Sequence, residues 1–181
     1  MSYSRLGPDW VRGADGLRER RAARVIVLDE RGRVLLVRGH DDDQPDRTWW
    51  FTVGGGIEPG ESEREAAVRE LAEETGLRLD AEHLIGPVLT RSAVFDFFSE
   101  HCRQHEAIFL ARVPGTAALS VSGWTALERE VVDELAWWEP GDLREASVEV
   151  FPAGLADLVA DLHAGWDGVT RHLSEERGGQ A

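Results

Sequence analysis

Lysine is absent from this chain of 181 residues, and cysteine and tyrosine occur once each, as Cys102 and Tyr3. Without lysine no side-chain amine can act as a nucleophile or form a Schiff base, which removes one large class of covalent catalysis. A single cysteine excludes an intrachain disulfide and suits a reducing, cytoplasmic compartment. No apolar run approaches the roughly 20 residues that span a bilayer, so no membrane partner is expected. The first ten residues carry neither a basic cluster nor an apolar stretch and do not read as a secretory signal. Basic residues are a minority, 20 against 34 acidic, for a net charge of −14. Phosphate backbones are bound by fields of positive charge, so a nucleic-acid polymer is disfavoured as partner. A small anionic substrate remains compatible with this charge when cations sit between it and the protein.

What is present reads as one soluble α/β domain: 42% hydrophobic and 30% charged residues over a length that can bury a sizeable core. Residues 1–20 are polar and read as a lead-in, 21–165 as the domain and 166–181 as a tail. Two apolar, β-branched runs, 22–28 and 33–37, flank a break containing Gly32 and predict a β-hairpin. Residues 39–47, with three consecutive aspartates, read as an exposed loop, and 49–53 as a short aromatic strand. The glycine-rich stretch 54–60 can neither extend that strand nor start a helix. From Ser62 the period becomes helical. Ser62 and Glu65 have the spacing of a capping box, and Gly76 supplies the stop after Thr75. Further strands are expected over 85–98, with a bend near Ser92, over 106–113 and at 136–138. Residues 152–163 place Leu155, Leu158, Val159 and Leu162 on one helical face.

The chemistry concentrates on the helix after the glycines. At about 100° per residue, Glu70, Glu73 and Glu74 share an arc of roughly 100°. Val68, Leu71, Ala72 and Thr75 cluster on the other side and predict the face that packs. Three like charges within one turn repel, and a solvated acidic face usually mixes signs. The alternative to a solvated face is an oxygen-ligand site for a hard divalent cation. The preceding glycines favour that alternative, because they let backbone approach a ligand closely at a helix N-terminus.

Gly55, Glu61, Arg69-Glu70-Leu71, Glu73-Glu74 and Gly76-Leu77 together match Gly-x5-Glu-x7-Arg-Glu-U-x-Glu-Glu-x-Gly-U at every defined position. In this segment, 55–77, the chain resembles the Nudix hydrolases. The resemblance implies a Nudix-type α/β/α sandwich, with a mixed β-sheet between helices, and Mg²⁺-dependent cleavage of a diphosphate linkage in a small nucleotide. It implies that Glu70, Glu73 and Glu74 hold Mg²⁺ or Mn²⁺, with the Gly54 carbonyl as a further ligand. Arg69 would orient the carboxylates, while Gly55 and Glu61 would shape and brace the loop. Family members often recruit another glutamate from downstream. Glu134 is the favoured position here, with Glu130 and Glu106 as the other candidates. Val53 stands where many members have proline, which leaves the loop looser without removing a ligand.

Trp50 is the candidate for stacking on a nucleobase, among Trp49, Trp50 and Phe51, though such a run also suits a core. Arg24 either meets a substrate phosphate or flanks a strand. His101 and His105 read as part of a polar turn rather than a metal site. A noncatalytic nucleotide-sensing module is the alternative function, but the box keeps every carboxylate. An isoprenoid diphosphate isomerase is disfavoured because no cysteine precedes Cys102. The substrate expected by default is a nucleoside triphosphate or a related diphosphate. Assembly as a homodimer is left open.

Overall fold

A computed structural model describes residues 6–40, 45–97 and 100–177. Among the described residues, nine strands form one mixed sheet: β1 (Val11–Arg12), β2 (Arg18–Leu28), β3 (Val34–His40), β4 (Thr48–Gly56), β5 (Ile85–Phe97), β6 (Glu100–Arg112), β7 (Val132–Trp138), β8 (Glu149–Phe151) and β9 (Arg171–Arg177). The order across the sheet is β7-β3-β4-β2-β6-β5-β9, with β1 on β2 and β8 on β4. Helix α1 (Glu63–Thr75) covers one face. Helices α3 (Pro140–Glu145) and α4 (Leu155–Ala164) cover the other, and a short α2 (Ala126–Val131) precedes β7. This is the expected sandwich.

Strand alternation divides the core. Ala23, Val25 and Val27 of β2 pack with Ala66, Ala67 and Leu71 on the α1 side. Ile26 and Leu28 face the opposite way, onto Leu155, Leu158 and Val159 of α4. The hairpin turn forms around Asp29, whose Oδ1 accepts from the N–H groups of Arg31 (2.9 Å) and Arg33 (2.8 Å). Gly32 there has φ 80°, which favours glycine. Only Val27–Leu35 and Leu28–Val34 pair directly. Beyond them β3 and β2 diverge, and β4 enters between them with partners on both sides. The glycines that end β4 are thereby placed beneath α1.

Helix α1 has the expected capping box and a left-handed Gly76 at its C-cap. Its packed face differs from expectation. The buried residues are Ala66, Ala67, Glu70, Leu71, Glu74 and Thr75, so two of the three carboxylates lie in the helix–sheet contact, while Val68 packs partly buried against the core and Ala72 is half-buried. Alanines at 66 and 67 let the helix approach closely. Gly55 leaves the room beneath: a Cβ there would lie 2.6 Å from the Glu70 carboxylate.

Strands occur toward both ends of the described residues. Trp10 is buried edge-on to Phe95, β2 begins at Arg18, and β9 runs parallel to β5. These strands join the sheet through paired charges rather than an apolar period. Arg103 bonds Asp15, Glu19 and Glu175, and Arg18 bonds Glu100. Residues 101–105 form part of β6 instead of a turn: Cys102 and Gln104 point inward, His101 and His105 outward. Of the loop expected at 39–47, residues 41–44 lie outside the described residues, as does Phe98 at the end of the expected strand 85–98. Among the described residues, no helix is long and apolar enough to cross a membrane.

Leu71 is fully buried where α1 meets the sheet. Its replacement by alanine is expected to cost about 2–5 kcal/mol in urea unfolding. A loss below about 1 kcal/mol would contradict this packing.

Candidate active site

The loop and helix are locked together by one arginine. Arg69 donates from Nε and Nη2 to the two Glu61 oxygens, each at 2.8 Å, and from Nη2 to the Gly56 carbonyl at 2.9 Å. Its Nη1 reaches Glu70 Oε1 at 2.8 Å and Glu73 Oε2 at 3.2 Å. A bidentate, charge-assisted pair of this kind fixes both distance and plane. Arg69 accordingly holds the Glu61 carboxyl below its ordinary range, and the carboxylates raise the arginine in return.

Glu70 and Glu74 are 7% and 4% exposed. Burial raises both carboxyls above the ordinary value of 4.5. Glu74, pushed further by the charge of Glu70, stands well above it. A third carboxylate joins them, from a residue that sequence reasoning did not single out. One oxygen from each of Glu70, Glu74 and Glu128 falls within 4.8 Å of the others. Glu128 lies on α2. The loop before it is tied to the end of α1 by Ser120 N–H to the Thr75 carbonyl (2.8 Å) and Trp124 Nε1 to the Glu74 carbonyl (2.9 Å). Gly123 lies so close to Glu73 that a Cβ would come 2.4 Å from its carbonyl oxygen.

Each carboxylate has one oxygen held. Glu70 Oε1 takes Arg69, Glu74 Oε2 takes the Gly54 N–H at 2.7 Å, and Glu128 Oε2 takes the Thr125 N–H at 2.6 Å. Each of the three also offers one carboxylate oxygen to the convergent group. Three convergent hard oxygens, two of them buried and mutually repelling, are the donor set that suits a divalent cation such as Mg²⁺. Glu73 stands apart from this group. Its side chain is 41% exposed, on the rim of an open groove of about 1040 Å³ that runs along α1 past Val68, Ala72 and Arg78 to His83.

Several expected site residues lie elsewhere. Glu134 is exposed on β7, with Arg38 Nη1 at 3.6 Å, because strand alternation turns it away from the cluster. Glu130 is exposed on α2 and outside the group. Glu106 is buried but engaged by Arg24 and Arg91, which hold its carboxyl down at about 2 against the cost of burial. Arg24 is no free substrate arm: Nε donates to Glu106 at 2.5 Å, and Nη1 to the carbonyls of Thr52 (2.8 Å) and Gly54 (3.1 Å). Trp50 belongs to the core, edge-on to Trp138 at 5.1 Å. The one signal for Glu128 in the sequence was the second capping box, Thr125-x-x-Glu128, just before the Trp137 strand.

A family model described as "NUDIX domain" matches residues 18–162. A putative 8-oxo-dGTP diphosphatase of Bacillus subtilis (strain 168) is 33% identical over 141 residues, 74% of this chain and 80% of that protein. An RNA pyrophosphohydrolase of Erythrobacter litoralis is 33% identical over 71% of this chain and 81% of that protein. The dihydroneopterin triphosphate pyrophosphohydrolase of E. coli has the same fold, at TM-score 0.57 and 19% identity, covering 80% of this chain and 94% of that one. A MutT protein from Bacillus halodurans aligns at TM-score 0.54 and 22% identity over 87% and 88% of the two chains. On the matched family model and the curated relatives, the chain belongs to the Nudix hydrolases, enzymes that cleave diphosphate linkages.

Proposed function

We propose that the chain hydrolyses the diphosphate linkage of a small triphosphate-bearing molecule, a nucleoside triphosphate or a close relative, using Mg²⁺ or Mn²⁺. The observation that carries this reading is the convergence of Glu70, Glu74 and Glu128, each with one oxygen fixed by a hydrogen bond. These three would hold the cation, with the Gly54 carbonyl as a further donor. When bound, such a cation neutralises phosphate oxygens and makes an attacking water more acidic. Arg69 aims Glu70 and keeps Glu61 against the loop. Glu73, exposed on the groove rim, is placed to meet whatever approaches along α1.

Two of the relatives carry names that refer to triphosphates, 8-oxo-dGTP and dihydroneopterin triphosphate. Their shared chemistry supports a small triphosphate as substrate. The net charge of −14 favours a small molecule over a polymer. A cytoplasmic setting accords with the single thiol, Cys102, which burial pushes up to about 12 and leaves unreactive.

Steady-state hydrolysis of nucleoside triphosphates, dinucleotides and sugar nucleotides, with and without Mg²⁺, tests the reading. Cleavage of the triphosphates only with metal is expected, and a folded, metal-binding protein silent on the whole panel would refute it. Glu128→Gln should lower kcat by about 100-fold or more. Glu134→Gln should stay within about twofold. The reverse pattern would return the downstream role to Glu134.

The raised carboxyls give the metal-free protein a signed pH dependence. A folded-state value above the unfolded one contributes stability that is complete below about 4.5 and is lost as pH rises through the folded value. Glu106 works in the opposite sense, contributing stability above 4.5 that is lost as pH falls toward about 2. Metal-free Tm should therefore fall as pH rises above about 4.5, and Glu74→Gln should flatten that slope. Added Mg²⁺ should oppose the fall. A Tm that rises with pH over this window would contradict the account of the cluster.

A further inference from the structure

Among the described residues, Glu74 is held by one backbone donor, the N–H of Gly54. The peptide that carries it, Val53–Gly54, lies between the carbonyls of Thr52 and Gly54, and Arg24 Nη1 grips both, at 2.8 and 3.1 Å. Arg24 is itself fixed. Its Nε donates to Glu106 Oε1 at 2.5 Å, the same oxygen accepts from Gln104 Nε2, and Glu106 Oε2 takes Arg91. The Arg24 and Glu106 side chains are 11% and 1% exposed. Gly54 needs such a grip. At φ 140° it has a glycine's freedom to rotate, and no side chain fits there, since a Cβ would lie 2.3 Å from the Ala23 carbonyl oxygen.

We infer that Arg24, locked by Glu106, is a positioning residue for the carboxylate cluster. It fixes the tilt of the Val53–Gly54 peptide and so the aim of Glu74. The three carboxylates then have three separate braces: Arg69 for Glu70, the Thr125 N–H for Glu128, and the Glu106–Arg24–Gly54 chain for Glu74. The first two are immediate neighbours in sequence or in a capping box. The third is assembled from three strands, β6, β2 and β4.

The inference rests on reading the cluster as a metal site, and Mn²⁺ titration followed by electron paramagnetic resonance keeps the two apart. A wild-type chain that binds no Mn²⁺ overturns the metal reading itself. Given wild-type binding, Arg24→Gln and Glu106→Gln should each weaken Mn²⁺ affinity by about 10-fold while circular dichroism shows the fold retained. A role through charge alone would give opposite signs. Removing the Arg24 cation would tighten binding, and removing the Glu106 anion would weaken it. Opposite signs overturn the inference, as does a lowered Tm with Mn²⁺ affinity unchanged in both variants. Glu106→Gln is nearly isosteric and decides the matter alone if Arg24→Gln does not fold. In Glu106→Gln the Gly54 amide resonance should also shift before any metal is added, and an unmoved resonance counts against the chain of contacts.

Discussion

Two glutamates buried between a helix and a sheet are the constraint on which the rest of this structure depends. Taking a carboxylate out of water costs several kcal/mol unless partners are supplied. Glu70 and Glu74 sit side by side, so repulsion adds to that cost. The surroundings answer at each level. Gly54 and Gly55 remove the side chains that would collide with Arg24's strand and with Glu70. Ala66, Ala67 and Leu71 on the same helical face bury apolar surface against β2 and hold the helix down. Arg69 brings a cation to Glu70 and binds the loop at the same time.

The same constraint explains why the site draws on distant parts of the chain. Glu128 arrives from α2 because the loop before it is bonded to the last turn of α1, and its own capping box turns the carboxylate. Such an arrangement is stable without an ion only at a cost, which the raised carboxyls register. A divalent cation removes that cost. On the proposed reading, folding stability and diphosphate chemistry are linked through one cluster.

Much of this was legible in the sequence. The helix carrying Glu70 was readable from Ser62 to Gly76 because its caps are local signals. Glu70, Glu73 and Glu74 were readable as candidate ligands because the box fixes their spacing, and Glu70 and Glu74 are the two that lie in the carboxylate cluster. The buried face of the helix was not, since hydrophobic periodicity places glutamates outside and cannot register the glycine floor that the preceding strand lays beneath them. Glu128 escaped for a related reason: its role comes from a loop-to-helix contact. Glu134, on β7 itself, attracted attention, but strand alternation turns it away from the cluster. Arg24 could be read only as a basic residue near a strand, because its partner Glu106 is 82 positions away. The strands at the two ends were invisible to an apolar period because ion pairs hold them.

The central claim is that one cation site is formed by Glu70, Glu74 and Glu128 together. Anomalous diffraction from crystals grown with Mn²⁺ tests it most directly. The account predicts a peak within bonding distance of oxygens from all three glutamates. A peak held by Glu134, or one on the outer side of α1 with Glu70 and Glu74 unengaged, would contradict it.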